Sequence, residues 1–329
     1  MMAPVSVVVT VLNEAQAIES LLRDLQAQDA PPNEVIVVDG GSADGTRDAV
    51  RRVPGVRLLC APGANISQGR NRGIEAASHE VVAVTDAGVR IEPAWLRLLT
   101  APLQADEADV AAGFFVPDPR SRFETAMGAT VLPSLEDVDP DRFLPSSRSL
   151  AFRKDVWQQA GGYPEWLDYC EDLVFDVNLR RAPGVRVAFV PEAAVHFRPR
   201  STLAAFFRQY YRYARGDGKA DLWRKRHAVR YLAYLHLAVT LACLLLPAAR
   251  RHKGLVAYFC GTSLAGAAGY LWKPARRLRS LARQASVADW LCMLALIPVI
   301  RLVGDVAKMA GYPAGWRWRL RNRPPDWRR

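Results

Sequence analysis

Acidic side chains stand just beyond the ends of apolar, β-branched runs in this 329-residue chain, and that placement decides which chemistry is open to it. The run at residues 35–38 leads into Asp39-Gly40-Gly41-Ser42-Ala43-Asp44-Gly45-Thr46, and the run at 81–84 into Thr85-Asp86-Ala87-Gly88. Carboxylates and glycines at the carboxyl ends of parallel strands lie where open α/β sheets bind ligands. Asp39 or Asp44 can there accept hydrogen bonds from a nucleobase edge or a ribose hydroxyl. The same residues can instead make local Asx turns, with Thr46 capping the next helix, and the two alternatives weigh equally on these residues alone. Asp86 can hold Mg2+ or Mn2+ against a departing diphosphate, because hard cations take oxygen ligands and bridge phosphate oxygens. An Asp before Gly is also a common turn residue. Further on, Glu171-Asp172 precede a helical pattern at 173–181. A carboxylate within hydrogen-bond reach of an incoming hydroxyl is a general base, and an acidic pair is equally what a helix N-terminus favours.

These side chains need a scaffold, and the hydrophobic pattern supplies one. Short β-branched runs at 5–11, 35–38, 56–60 and 81–84 alternate with helical spacing at 17–28 and 46–53, which predicts a parallel sheet covered by helices. Near-continuous valine runs suit strands buried on both faces. Further strands are expected at 110–116, 149–152 and 185–190.

The chain changes character after Arg200. Residues 201–329 hold 24 Lys and Arg against 5 Asp and Glu, so the tail carries about +19 and the first 200 residues about −8, within a net +11. Leu203, Phe206, Phe207, Tyr210 and Tyr211 recur at helical spacing among Arg208, Arg212 and Arg215. They describe a basic amphipathic helix, either lying on a membrane or packed on the first domain. Residues 231–249 and 255–272 are each apolar enough to cross a hydrocarbon core of about 30 Å, joined by the basic turn 250–253. Residues 290–300 are shorter and read as interfacial or re-entrant. The expected blocks are 1–200 catalytic, 201–229 interface helix and linker, 230–273 membrane hairpin, and 274–329 basic interfacial helix and tail. Basic stretches at 219–230 and 273–283 outweigh the basic turn and favour a cytoplasmic catalytic domain. The start Met1-Met2-Ala3-Pro4 has no charged n-region, so no cleaved signal peptide is expected.

Several function classes drop out. The basic residues flank apolar segments and come with no nucleic-acid-binding signature, so nucleic acid is not an expected partner. The five cysteines show no metal-ligand or disulfide spacing. The first strand ends Val11-Leu12-Asn13-Glu14, without the glycine-rich turn of a dinucleotide-binding unit and without the phosphate loop of a nucleotidyltransferase.

Five segments in order run from Val7-Val8-Val9-Thr10-Val11-Leu12-Asn13-Glu14 through Val37-Val38-Asp39-Gly40-Gly41-Ser42-Ala43-Asp44-Gly45-Thr46, Gly69-Arg70-Asn71-Arg72-Gly73 and Thr85-Asp86-Ala87-Gly88 to Glu171-Asp172. Together they closely resemble the family 2 glycosyltransferases of the GT-A fold, over about residues 4–215. The resemblance implies an α/β, Rossmann-like, mostly parallel sheet followed by a C-terminal helical membrane region. It implies an inverting enzyme that uses a nucleotide-diphosphate sugar donor and a divalent cation, Mg2+ or Mn2+, with a lipid, lipid-linked or glycan acceptor at the membrane.

By the same resemblance Asp39 would hold the base, with Ser42 and Asp44 beside it. Arg70 and Asn71 would line the nucleotide pocket, and Asp86 would touch the metal and the ribose-diphosphate. His196 matches a position that completes a metal or diphosphate site. Asp172 would be the catalytic base and Glu171 its neighbour. Gln209-Tyr210-Tyr211-Arg212-Tyr213 loosely resembles the Gln-x-x-Arg-Trp segment of processive members, which would put Arg212 on the leaving diphosphate. Two departures stand out: the family's Asp-Asp-Gly-Ser reads Asp39-Gly40-Gly41-Ser42, and its Asp-x-Asp reads Asp86-Ala87-Gly88. The missing second carboxylate is what supports the alternative of a catalytically silent membrane scaffold.

Overall fold

The computed structural model describes residues 3–247 and 251–328. Residues 1, 2, 248–250 and 329 lie outside the described residues, and with them the start of the chain, the end of the expected 231–249 run and part of the expected basic turn. In chain order the elements are β1 (Val5–Val11), α1 (Ala15–Gln26), β2 (Glu34–Asp39), α2 (Thr46–Arg51), β3 (Val56–Cys60), α3 (Ile66–Ala76), β4 (Val81–Asp86), β5 (Val89–Ile91), α4 (Trp95–Gln104), β6 (Val110–Pro117), α5 (Arg122–Val131), β7 (Leu150–Arg153), α6 (Lys154–Gln159), α7 (Glu171–Arg181) and β8 (Val187–Phe197). Four long helices follow: α8 (Leu203–Ala220), α9 (Arg224–Leu245), α10 (Lys253–Leu281) and α11 (Val287–Asn322).

The strands form one sheet in the order β3-β2-β1-β4-β7-β6-β8-β5. The first four are mutually parallel, β7 runs antiparallel to both its neighbours, and β5 pairs antiparallel with β8 at the edge. Alternate valines of β1 feed opposite faces. Val7 and Val9 pack with Leu21 and Leu22 of α1, while Val8 packs with Ile36, Val38, Ile74 of α3 and Phe175 of α7. Each such side chain contributes about 1.5–3 kcal/mol when fully buried, which is why the β1–β2–β4 centre is the firm part of the sheet. The short β5 was not expected; three residues carry too little pattern to announce a strand.

Register brings the acids together. Asp39 pairs with Val11 and Asp86 with Thr10, so the two flank the same end of β1. At about 4.8 Å per strand they stand roughly 10 Å apart. Helix α7 begins at Glu171 rather than 173, after Cys170 in the left-handed region (φ 63°), so both carboxylates belong to its first turn.

The chain divides into two compact units. One comprises residues 1–118, 133–198 and 324–329, the other 119–132 and 199–323. Where residues 1–200 were expected as one block and 274–329 as another, α5 groups with the long helices and the last six residues group with the sheet.

In the helical unit α8 and α11 approach through glycines. A Cβ on Gly315 would lie 2.0 Å from the Arg215 carbonyl oxygen, and one on Gly311 2.2 Å from that of Tyr211. Ala126 and Met127 of α5, Phe206 of α8, Leu278 of α10 and Ile297 and Ile300 of α11 fill the core. Three helices, α9, α10 and α11, are long and apolar enough to cross a membrane. Leu235, Leu245 and Leu264 are each more than 60% exposed, an apolar surface that suits lipid. Helix α11 is far longer than the expected 290–300 segment and continues through Pro298 and Pro313.

Gly315→Ala is expected to destabilise the α8–α11 pair by at least about 1–3 kcal/mol, the usual cost of overpacking. Thermal unfolding of the full chain in detergent should show a lowered Tm, and an unchanged Tm would contradict the close approach.

Candidate active site

At the β1–β2 rim the polar atoms are knitted to one another. Asp39, 1% exposed, accepts hydrogen bonds from the Ser42 amide (3.1 Å to each carboxylate oxygen) and the Gly41 amide (3.3 Å), with Arg47 Nε at 3.8 Å. Ser42 Oγ accepts from the Asn13 amide at 2.9 Å. Asp44 accepts from the amides of Thr46 (3.0 Å) and Ala15 (3.2 Å) and from the Thr46 hydroxyl, bonds that hold its carboxyl below the usual range. Asp44 therefore makes the Asx turn. Thr46 does not cap α2, because its oxygen accepts from the Glu14 amide at 2.8 Å.

The glycines of this loop have steric reasons. Gly41 sits at φ 107°, where only glycine is unstrained, and a Cβ on Gly40 would lie 3.1 Å from the Ala64 carbonyl oxygen. The second Asp of the family pattern would press on that carbonyl.

Helix α3 delivers the central cation. A capping box opens it: Asn65 accepts from the Gln68 amide at 2.9 Å and Gln68 from the Asn65 amide at 3.0 Å. Glycines let it press onto the sheet, since a Cβ on Gly73 would lie 2.4 Å from Val8 Cγ1. Arg70, with a side chain 4% exposed, then reaches Asp86 Oδ1 through Nη2 at 2.9 Å and Glu171 Oε1 through Nη1 at 2.7 Å. Its guanidinium stands 5.2 Å from the centre of the Tyr163 ring. Burial works against its charge, but Asp86 and Glu171 outweigh that and raise its pKa.

Asn71, expected to line the nucleotide pocket, borders a cavity and is hydrogen-bonded to the adjoining loop. Its Oδ1 accepts from the Tyr163 amide (2.9 Å) and Trp157 Nε1 (3.3 Å), and its Nδ2 donates to the Tyr163 carbonyl (2.9 Å) and Glu165 Oε1 (3.0 Å). The carboxamide holds the 157–165 loop and, with it, the ring beside Arg70. Next to this loop a cavity of about 730 Å³ is lined by Trp157, Glu165, Trp166 and Trp327 among others.

A second guanidinium, with no motif to announce it, joins the first. Arg148 Nε lies 3.6 Å from Asp86 Oδ2, and its guanidinium stacks over Phe197 at 4.5 Å. The Thr85 hydroxyl fixes the turn by donating to the Arg148 carbonyl at 2.7 Å. An Arg just before a strand reads as a surface residue; the only hint was its polar flank, Ser146-Ser147-Arg148-Ser149.

The acids of α7 are strongly perturbed. Burial, then the Asp172 charge, pushes the Glu171 carboxyl up to about 7 against the pull of Arg70. Burial also raises Asp172, opposed by Arg70 and Arg148. One turn on, Asp176 is buried with neither carboxylate oxygen hydrogen-bonded, and burial followed by Asp172 drives its pKa well upward. Asp172 is half-buried, which leaves it the more accessible of the pair at the start of the helix.

His196 is engaged elsewhere: its Nε2 lies 2.9 Å from Glu92 Oε1, and nothing links it to Asp86. Arg212 belongs to α8 in the helical unit. Among the described residues no three His, Cys, Asp or Glu side chains are grouped to hold a metal. Asp86 nevertheless fits a cation that substrate phosphates would complete. Its Oδ2 has no hydrogen-bond partner closer than Arg148, its side chain is 24% exposed, and a Cβ on Gly88 would meet nothing within 4 Å.

The profile of the family described as Glycosyl transferase family 2 matches residues 6–155, and that of Glycosyl transferase family group 2 matches residues 82–310. A similar curated relative is the "Succinoglycan biosynthesis protein ExoA" of Rhizobium meliloti, 29% identical over 233 residues that cover 65% of this chain and 68% of that one. Another is the "Glycosyltransferase AglE" of Haloferax volcanii, 28% identical over 173 residues, half of this chain and 57% of the other. Among solved structures, the mannosyltransferase PcManGT of Pyrobaculum calidifontis, in complex with GDP-Man and Mn2+, shares the fold with a TM-score of 0.54 at 20% identity, covering 97% of this chain and 87% of its own. The chain belongs to the family 2 group of glycosyltransferases, and is a nucleotide-sugar-dependent enzyme of the GT-A fold.

Proposed function

We propose that the protein transfers a sugar, with inversion at the anomeric carbon, from a nucleotide-diphosphate sugar to a hydroxyl of a lipid, lipid-linked or glycan acceptor at the cytoplasmic face of a membrane. The observation that carries this reading is the chain Asp86–Arg70–Glu171, continued by Asp172, at the carboxyl end of a parallel sheet. The apolar surface of α9 and α10 supports an acceptor carried by lipid, and the relative named for succinoglycan biosynthesis supports an envelope glycan as product.

Asp172 takes the proton from the acceptor hydroxyl as its oxygen attacks the anomeric carbon and the diphosphate leaves from the opposite face. Glu171 stays paired with Arg70 and shapes the acceptor side. Asp39 anchors the loop that meets the base, and Ser42 and Asp44 hold that loop rather than the nucleotide. A divalent cation at Asp86, when bound, neutralises charge developing on the leaving diphosphate. Arg148 stands 3.6 Å from the same carboxylate and adds positive charge where the second family Asp is missing. His196, salt-bridged to Glu92, is assigned no metal role.

Purified full chain with Mn2+ and a panel of UDP- and GDP-sugars should release diphosphate slowly in the absence of acceptor. A complete blank across the panel would favour the silent scaffold, whose one support is the glycine at position 88.

Asp172→Asn should lower kcat by about 10²–10⁴, the range of general-base catalysis, with donor affinity by calorimetry nearly intact. Loss of donor binding together with activity would remove the base assignment.

The raised carboxyl of Glu171 also predicts a pH dependence. Its ordinary value of 4.5 becomes about 7 in the folded chain, so its contribution to stability is full below 4.5 and declines as pH rises toward 7. Activity runs the other way, because the Asp172 base must be ionised. The kcat profile should show an acid limb raised above the ordinary aspartate range, and Glu171→Gln should move it to lower pH by removing a neighbouring negative charge. A limb that stays in place in the variant would exclude the coupling.

Gly88→Asp has room for its side chain and should reduce the Mn2+ concentration at half-maximal rate by about tenfold, as expected for an added oxygen ligand. An unchanged metal requirement would place the cation elsewhere.

A further inference from the structure

The cavity beside Asn71 is used by no step of sugar transfer. It holds about 730 Å³, within the roughly 300–1,000 Å³ of small-molecule sites. Helix α3 and the 157–166 segment form two of its walls, α7 a third through Val174 and Asn178, and Trp327 from the end of the chain a fourth. None of Asp39, Asp86, Arg148, Glu171 and Asp172 lines it. Helix α3 parts the two places: Arg70 reaches Asp86 and Glu171, whereas Asn71, the next residue, bonds to the 157–165 loop.

Three of the chain's nine tryptophans, at 157, 166 and 327, meet at this cavity. Trp157 is buried with its indole Nε1 3.3 Å from Asn71 Oδ1, so its ring is fixed before any ligand arrives. Trp166 and Trp327 are half-buried. Trp327 is tied to the end of α7. Arg181 Nη1 donates to the Arg328 carbonyl at 3.4 Å, and the guanidinium groups of Arg181 and Arg328 stand 5.6 and 5.4 Å from the Trp327 ring centre. Gly161, at φ 80°, leaves open space at its wall, since a Cβ there would meet nothing within 4 Å.

Charge narrows the ligand. Glu75 and Glu165 line the cavity, and no Lys or Arg does. Two carboxylates repel a phosphate, so the diphosphate of the donor does not belong here. An organic cation is no better placed, because Arg181 and Arg328 already bring like charge to the Trp327 ring. What fits is an uncharged molecule with an apolar face for an indole and hydroxyl donors for Glu75, Gln158 and Asn178. A pyranose has both, with C–H groups on the faces of its ring and hydroxyls around the edge.

We propose that this cavity is a second sugar subsite, apart from the transfer centre, that holds a neutral oligosaccharide by units that do not react. The proposal rests on the reading of a glycan acceptor and adds where its unreactive part is held.

The test uses the full chain in phosphatidylcholine nanodiscs, titrated in a calorimeter with cellotetraose and laminaritetraose. In these neutral β-linked glucose tetramers equatorial hydroxyls leave the ring faces apolar. At least one of them should bind saturably at one site per chain. Tetragalacturonate, which is anionic, and the glucosamine tetramer, which is cationic, should bind at least tenfold more weakly. W166A/W327A should weaken binding of the neutral tetramer at least tenfold, and Asp172→Asn should leave it unchanged. Four results overturn the proposal: no saturable binding of either neutral tetramer, binding of a charged tetramer as tight as the neutral one, binding unchanged in W166A/W327A, or binding lost in Asp172→Asn, which would put the sugar in the transfer centre. Should W166A/W327A fail to fold, W327A and the charge selectivity of the unaltered chain decide. Donor hydrolysis in the same nanodiscs separates the two readings. Saccharide binding with a blank donor panel sinks the transferase assignment and leaves the subsite, whereas hydrolysis without saccharide binding sinks only the subsite.

Discussion

The catalytic unit depends on one buried cation. Arg70 is withdrawn from water between Asp86 and Glu171, and it thereby ties the end of a central strand to the start of α7 through a side chain of α3. Removing one partner of such a buried arrangement costs about 3–5 kcal/mol, since the charge left behind has no solvent to turn to. The neighbouring features follow from it. Glycines at 69 and 73 let the helix come close enough, Asn71 clamps the loop that carries Tyr163 beneath the guanidinium, and the Glu171 carboxyl titrates far from its usual range because burial has to be answered by this one positive charge. The same two contacts join a strand-end carboxylate to the first turn of α7.

The central strands were legible because burial on both faces favours apolar residues, and the valine-rich runs at 5–11 and 81–84 satisfy that. The acids were legible for a related reason, as a strand-end carboxylate interrupts such a run abruptly. Less could be read where function is shared between distant segments. Arg148 reaches Asp86 from the start of an antiparallel strand, a placement that only the sheet order reveals. Ser42, Asp44 and Asn71 carry the residue types of a binding site, yet their polar atoms are consumed by backbone amides and neighbouring side chains. Residue type and order cannot say whether a side chain faces a ligand or its own loop. The partner of His196, Glu92, lies just after β5, a strand too short to foresee.

The tail shows the complementary case. Its charge asymmetry and apolar runs made a membrane-associated region plain, but the length of α11 and its glycine-mediated fit to α8 were hidden, since a helix that pairs closely with another needs small residues rather than a strong hydrophobic stripe. That helix runs on through Pro298 and Pro313.

The interleaving of the two units along the chain has a practical side. Helix α5 is inserted between β6 and β7 yet buries Ala126 and Met127 among the long helices, and the final segment brings Trp327 to line the cavity beside Asn71. No single cut can release an intact soluble catalytic fragment. Trimming the chain before the membrane helices would leave a greasy α5 uncovered and strip an aromatic wall from the sugar-handling half, so expression strategies should retain the whole polypeptide in detergent or lipid.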